Sequence, residues 1–255
     1  MSIIDIDEVR GWAEAAGRLA LQHFNHVAGH RKADRSYVTE ADVAIERQLV
    51  AQISARYPDH GILGEEQAKT NLDREFVWAV DPIDGTASFV AGLGSWCISI
   101  GLVRNGQPYF GLIHMPTLGD TYHAAVGEGA FLNGQPIHVS QPDAWEGETW
   151  LATPATLHRS FELDFPGKTR VLGSTAAQMC YVARGSALAA LLVNAYPWDV
   201  AAGLVIVQEA GGAVVPLDPA TPTGGTALDG GWLHQPVLVA APDQIAPLRQ
   251  AFRRR

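Results

Sequence analysis

At 255 residues, 47% apolar and 18% charged, the chain can bury a substantial core as one large domain or two closely packed ones, and no low-complexity run or fixed-period repeat interrupts it. Its formal net charge of −9, from 27 acidic against 18 basic residues, excludes the polyanion-binding surface that nucleic acid needs; the only basic cluster, Arg253-Arg254-Arg255, reads as a solvated helix end. The two cysteines, Cys97 and Cys180, both sit in apolar context, which excludes a disulfide framework and fits a reduced, cytoplasmic setting.

Asp5, Asp7 and Glu8 stand where a signal peptide would be basic, so no export is expected. Ile6, Val9, Ala13, Ala16, Leu19, Ala20 and Phe24 recur at three and four residues and predict an amphipathic first helix. His23, His26 and His30 share helical spacing, but without cysteine or further carboxylate they read as a solvated helix face rather than a metal cluster. Thr39 and Asp42 have capping-box spacing, predicting a second helix that carries Ala41, Ile45, Leu49 and Ile53 on one face and stops before Pro58. Phe76 to Val80 has the aromatic and β-branched content of a buried strand, and because Pro82 cannot continue a central ladder, the chain is expected to leave the sheet at Asp81.

The uncharged run from Phe89 to Val103 is broken by glycines and too short to span a bilayer, so no membrane partner is expected. Trp96, Ile98, Ile100 and Leu102 alternate along a strand, Asn105-Gly106 turns it into a second from Tyr109 to Met115, and Asp120 to Val126 adds a third before the turn at Asn133-Gly134. Gln141 to Gly147 is the best boundary, giving domains 1–143 and 144–255. Beyond it, strands at Trp150–Thr153, Arg170–Leu172 and Leu188–Val193 alternate with helices at Ser174–Ala183 and Trp198–Ala210. A last helix is predicted from Asp243 to Arg254.

Chemistry concentrates in Trp78-Ala79-Val80-Asp81-Pro82-Ile83-Asp84-Gly85-Thr86, an apolar run ending in two carboxylates, a glycine and a hydroxyl. Hard divalent cations take oxygen ligands, and two carboxylates three residues apart in a rigid turn can hold two ions without crossing. Gly64-Glu65-Glu66 and Pro197-Trp198-Asp199 also place acids at the ends of apolar segments, the pattern of a site assembled by the fold. Neighbouring side chains on an extended segment diverge, so one of Glu65 and Glu66 is expected to face away. A bland alternative is that Asp199 only caps the helix that follows it and that Asp42 is a helix-end charge, but the companion acids favour the site. An aspartate-nucleophile phosphatase of the haloacid dehalogenase type needs its two aspartates two apart, and three separate Asp81 from Asp84.

These motifs, with Thr39-Glu40-Ala41-Asp42 upstream, Gly129 to Gly134 between, and Glu209-Ala210-Gly211-Gly212 downstream, resemble the inositol monophosphatase family over most of the chain. The resemblance implies a five-layered αβαβα sandwich of the inositol monophosphatase and fructose-1,6-bisphosphatase type, a lithium-sensitive phosphomonoesterase and a homodimer. It implies two or three Mg²⁺ ions held by Glu65, Asp81, the carbonyl of Ile83, Asp84 and Asp199, with a metal-activated water attacking directly. Glu65 and Thr86 would share activation of that water, Thr86 being oriented by Asp42, while Gly85 and Thr86 face the phosphate. Ser174 and Thr175 match the segment beside the substrate, although a helix cap explains Ser174 equally well. Leu192 stands where inositol-specific members carry a glutamate, which points away from strict myo-inositol 1-phosphate preference and toward a small polyol, inositol or sugar phosphate. A histidinol-phosphate phosphatase, a 3′(2′),5′-bisphosphate nucleotidase and a catalytically silent binding module are the alternatives; the intact water-orienting pair of Glu65 and Thr86 argues against the last.

Overall fold

The computed structural model describes residues 3–27, 29–32, 36–220 and 235–255. Helix α1 (Ile6–His23) starts where the Asp5 side chain accepts the Glu8 N–H. It ends at His23, and His30 lies in a short strand, β1 (His30–Arg31), paired with β2 (Tyr37–Val38), so the three histidines do not share a helix face. Helix α2 (Glu40–Arg56) opens with the predicted capping box, in which Thr39 and Asp42 satisfy each other's backbone N–H groups.

Strands β3 (Gly61–Gly64), β4 (Lys69–Thr70), β5 (Phe76–Asp84), β6 (Cys97–Arg104), β7 (Gln107–Met115), β8 (Asp120–Ala125), β9 (Gly129–Leu132) and β10 (Gln135–Pro136) form one sheet in the order β10-β9-β8-β7-β6-β5-β3-β4. Only β3 and β5 run parallel to each other in it. Contrary to expectation, β5 does not stop at Asp81. Pairing resumes at Asp84 opposite Cys97 after a register shift, so Pro82 sits in a bulge, where its missing N–H breaks no ladder bond. Helix α3 (Thr86–Val90) follows at once, with Gly85 in the left-handed conformation at φ 96°.

After this sheet come β11 (Trp150–Ala152), α4 (Leu157–Ser160), β12 (Phe161–Leu163), β13 (Lys168–Arg170), α5 (Thr175–Ala183), β14 (Ala189–Leu192), α6 (Pro197–Glu209), β15 (Ala213–Pro216) and β16 (Val237–Ala240). The second sheet has the order β13-β11-β14-β16-β15. Sequence reading found no strand at β15 or β16, because four-residue apolar runs carry no alternation to detect. The predicted last helix is also corrected: a 3-10 turn (Pro242–Gln244) leads into α7 (Ile245–Ala251), and the chain then extends as β17 (Phe252–Arg254), paired with β12. The three terminal arginines therefore follow α7 in extended chain instead of ending a helix.

Three large apolar clusters join the five layers. Trp12, Ile45, Leu49, Trp78 and Ile100 join α1 and α2 to one face of the large sheet. Ile113, Met179, Val205 and Val239 join its other face to α5, α6 and the second sheet, whose outer face packs through Leu151, Leu238, Leu248 and Phe252 against α7. The αβαβα sandwich is thus the observed fold. Seating of α6 on the large sheet depends on two glycines: a Cβ at Gly101 or Gly111 would run into the backbone of Ala202.

Candidate active site

The β5 bulge turns Asp81 and Asp84 toward the first turn of α6, which brings Asp199. Ligand-capable oxygens of these three carboxylates lie within 4.8 Å of one another. Asp81 is 2% and Asp84 7% exposed. The loop after β3 brings Glu65, whose charge acts on Asp81.

These buried acids are not treated alike. Asp84 receives the Ser174 hydroxyl at 2.6 Å, the Ala176 N–H at 2.6 Å and the Thr175 N–H at 3.2 Å, all from the start of α5. Burial still pushes its pKa up, to about 6, with these donors pulling the other way. Asp81 accepts one backbone bond, from Ile83 N–H at 3.0 Å. Burial first, and then the neighbouring charges of Glu65, Asp84 and Asp199, hold Asp81 well above the carboxylate range. Asp199 is raised by burial and by Asp84, against the Tyr196 N–H it accepts at 2.8 Å, so it is a helix cap as well as a member of the cluster. Such a set of acids has more negative charge than donors, and a divalent cation among them would restore the balance.

Thr86 and Asp42 meet as expected. The Thr86 hydroxyl lies 3.2 Å from Asp42 Oδ1 and 3.0 Å from the Ile83 carbonyl; its single hydrogen can serve one acceptor at a time. Asp42 is fully buried, and desolvation raises its pKa to about 6 against the bonds from Thr39.

Other candidates land differently. Ser174 is 1% exposed, and its hydroxyl is taken up by Asp84 and by the Ala177 N–H it caps, so it supports a carboxylate rather than offering itself to a substrate. Thr175 contributes its N–H to the same carboxylate. Leu192 is 3% exposed, paired with Val237 and packed in the core between the sheets, which leaves little surface for a substrate. Glu66 does not turn away from Glu65. The chain bends at 65–67, and both carboxylates converge on Lys32 Nζ, at 2.8 Å and 2.6 Å.

Lys32, which directly follows β1, has no motif of its own and was not among the residues the sequence singled out. Burial would lower its pKa, but Glu65 and Glu66 hold it above the usual lysine range. Glu46 was missed too, although its place four residues after Asp42 puts it on the same face of α2. Its carboxylate, 4% exposed, accepts the backbone N–H groups of Glu66, Gln67 and Ala68.

The chain is 37% identical over 211 residues to the fructose-1,6-bisphosphatase/inositol-1-monophosphatase of Thermotoga maritima, covering 78% of this chain and 79% of that one. It is 37% identical over 210 residues to a histidinol-phosphatase of Chlorobaculum parvum, with 78% and 81% covered. A solved Thermotoga maritima IMPase superposes with a TM-score of 0.81 at 29% identity over 96% of both chains. The sequence profile of the inositol monophosphatase family matches residues 5–251, and with the acidic cluster at the bulge and the five-layered sandwich around it, the chain belongs to the inositol monophosphatase family of phosphatases.

Proposed function

We propose that the protein is a Mg²⁺-dependent phosphomonoesterase acting on a small polyol, inositol or sugar phosphate. One observation carries this reading: Asp81 is buried with a single backbone donor and faces three other carboxylates, an arrangement that a cation would complete. Glu65, Asp81, the Ile83 carbonyl, Asp84 and Asp199 are the groups that would hold the ions. When bound, two or three Mg²⁺ ions would lower the pKa of a water and neutralise charge on the phosphoryl group and the leaving oxygen. Thr86, giving its hydrogen to Asp42, keeps its lone pairs free to accept from that water, and Glu65 can take the proton. Gly85 and Thr86 N–H groups would donate to phosphate oxygens, and Thr175 would help fix Asp84.

The names of the relatives make fructose, inositol and histidinol phosphates the esters to try. We read the chain as two domains divided at 143/144, in a cytoplasmic homodimer. Among the described residues no helix is long and apolar enough to cross a membrane. A turnover screen over inositol 1-phosphate, fructose 1,6-bisphosphate, histidinol phosphate, a 3′,5′-bisphosphate nucleotide and glycerol 2-phosphate, with Mg²⁺ and with EDTA, tests the reading. Turnover of none of them with Mg²⁺, or equal turnover in EDTA, would refute it.

A further inference from the structure

We propose that Glu46 is a positioning residue that sets the protein's affinity for divalent cation by holding the backbone of the Glu65 loop; this rests on the reading of Glu65 as a cation ligand. Glu46 lies one helical turn beyond Asp42 on α2. One of its carboxylate oxygens accepts the Glu66 N–H at 2.7 Å, and the other accepts those of Gln67 at 2.7 Å and Ala68 at 3.0 Å. Three consecutive N–H groups of a bend thus find their partners in one buried side chain from another element. Gly64 leaves room for it, since a Cβ there would collide with the Glu46 carboxylate.

The bonds go to the loop backbone, not to the Glu65 side chain, whose carboxylate lies between Lys32 and Asp81. Glu65 can therefore exchange Lys32 for a cation without the loop having to be ordered in the same step. Helix α2 then orients both halves of the site, Thr86 through Asp42 and the Glu65 loop through Glu46. A glutamine at 46 keeps one acceptor oxygen but turns an amide donor toward one set of N–H groups, so the competent loop becomes a fraction of the population. Apparent cation affinity falls by that fraction, whereas turnover of the loaded form does not.

The test compares wild type, E46Q and G64A in the full chain, by Mg²⁺ titration calorimetry and by the Mg²⁺ dependence of kcat on whichever phosphate ester the wild type turns over. Expected for both variants is an Mg²⁺ dissociation constant raised about tenfold or more, with kcat at saturating Mg²⁺ within about fivefold of wild type. Unchanged Mg²⁺ binding in E46Q, or a collapse of kcat with unchanged binding, would overturn the positioning role. Should E46Q fail to fold, G64A, which keeps the carboxylate but displaces it, carries the same expectation and the same refutation. Failure of the wild type to bind Mg²⁺ at all would instead remove the underlying reading of Glu65.

Discussion

Asp84 and Asp81 sit three residues apart on one bulged strand and are equally hidden from water, yet the protein treats them in opposite ways. Asp84 is met by a hydroxyl and two backbone N–H groups from the start of α5. Asp81 is met by one N–H and by the carboxylates of Glu65, Asp84 and Asp199. Donors offset part of the cost of burying a charge at Asp84, whereas a carboxylate surrounded by its own sign stores repulsion that a cation can release. Burial alone does not separate these roles; the inventory of donors does.

The sharpest way to break this comparison is to neutralise each acid in turn. D81N is expected to lower turnover about a thousandfold or more, since several kcal/mol of charge stabilisation is lost at about 1.4 kcal/mol per decade. In EDTA the same variant should melt higher than wild type, because repulsion is removed. D84N should melt lower in EDTA, because its amide cannot accept from three donors. Scanning calorimetry in EDTA reads both signs, and a shift in the same direction for the two variants would end the distinction.

The second test is the pH dependence of the metal-free fold. Asp84 and Asp42 have pKa values of about 6 in the native state against 3.8 as the ordinary value, so the native state binds their protons more tightly than the unfolded chain does. Their stabilising contribution is present below the unfolded value and is lost as pH rises through about 6. In EDTA, denaturant stability should therefore fall by about 4 kcal/mol between pH 4.5 and 7, about half of it from each group. Saturating Mg²⁺ should flatten or reverse that slope, because the cation binds the ionised form.

Smaller effects refine the Asp84 side. S174A removes one charge-assisted bond and a helix cap, and should cost about 1.5 to 3 kcal/mol in urea unfolding. C97S replaces a thiol 3.8 Å from Asp84 Oδ2 with a stronger donor. It should move the midpoint of the EDTA stability curve down by less than about one pH unit, as a hydrogen bond to the charged form favours ionisation.

The contrast between the two aspartates was half legible in the sequence. That both would be buried acids at a strand end followed from the apolar run before them, and capping-box spacing located α2 and with it Asp42. What Asp84 receives was not legible, because its donors come from about ninety residues away, and no local pattern reports which hydroxyl a fold will spend on a carboxylate. Ser174 shows this: its sequence allowed a substrate contact or a cap, and three-dimensional packing chose the cap and Asp84 together. Pro82 misled for a related reason. A missing N–H forbids a regular ladder, but a bulge leaves one residue unpaired and accepts it. Glu46 and Lys32 escaped because their partners are loop backbone and a bend, neither of which has a periodicity to read.

The glycine seat of α6 bears on how such an enzyme can diversify. At Gly101 and Gly111 the sheet offers no side chain of its own, so α6 comes down until the Ala201 methyl and the Ala202 backbone meet the strands, and its height there is set by that close contact. Asp199 rides on that height. Drift in the apolar residues around α1 or α7 can tilt or loosen those helices without carrying the third acid away from the β5 pair. The spacing of the three carboxylates is then insulated from change elsewhere in the fold.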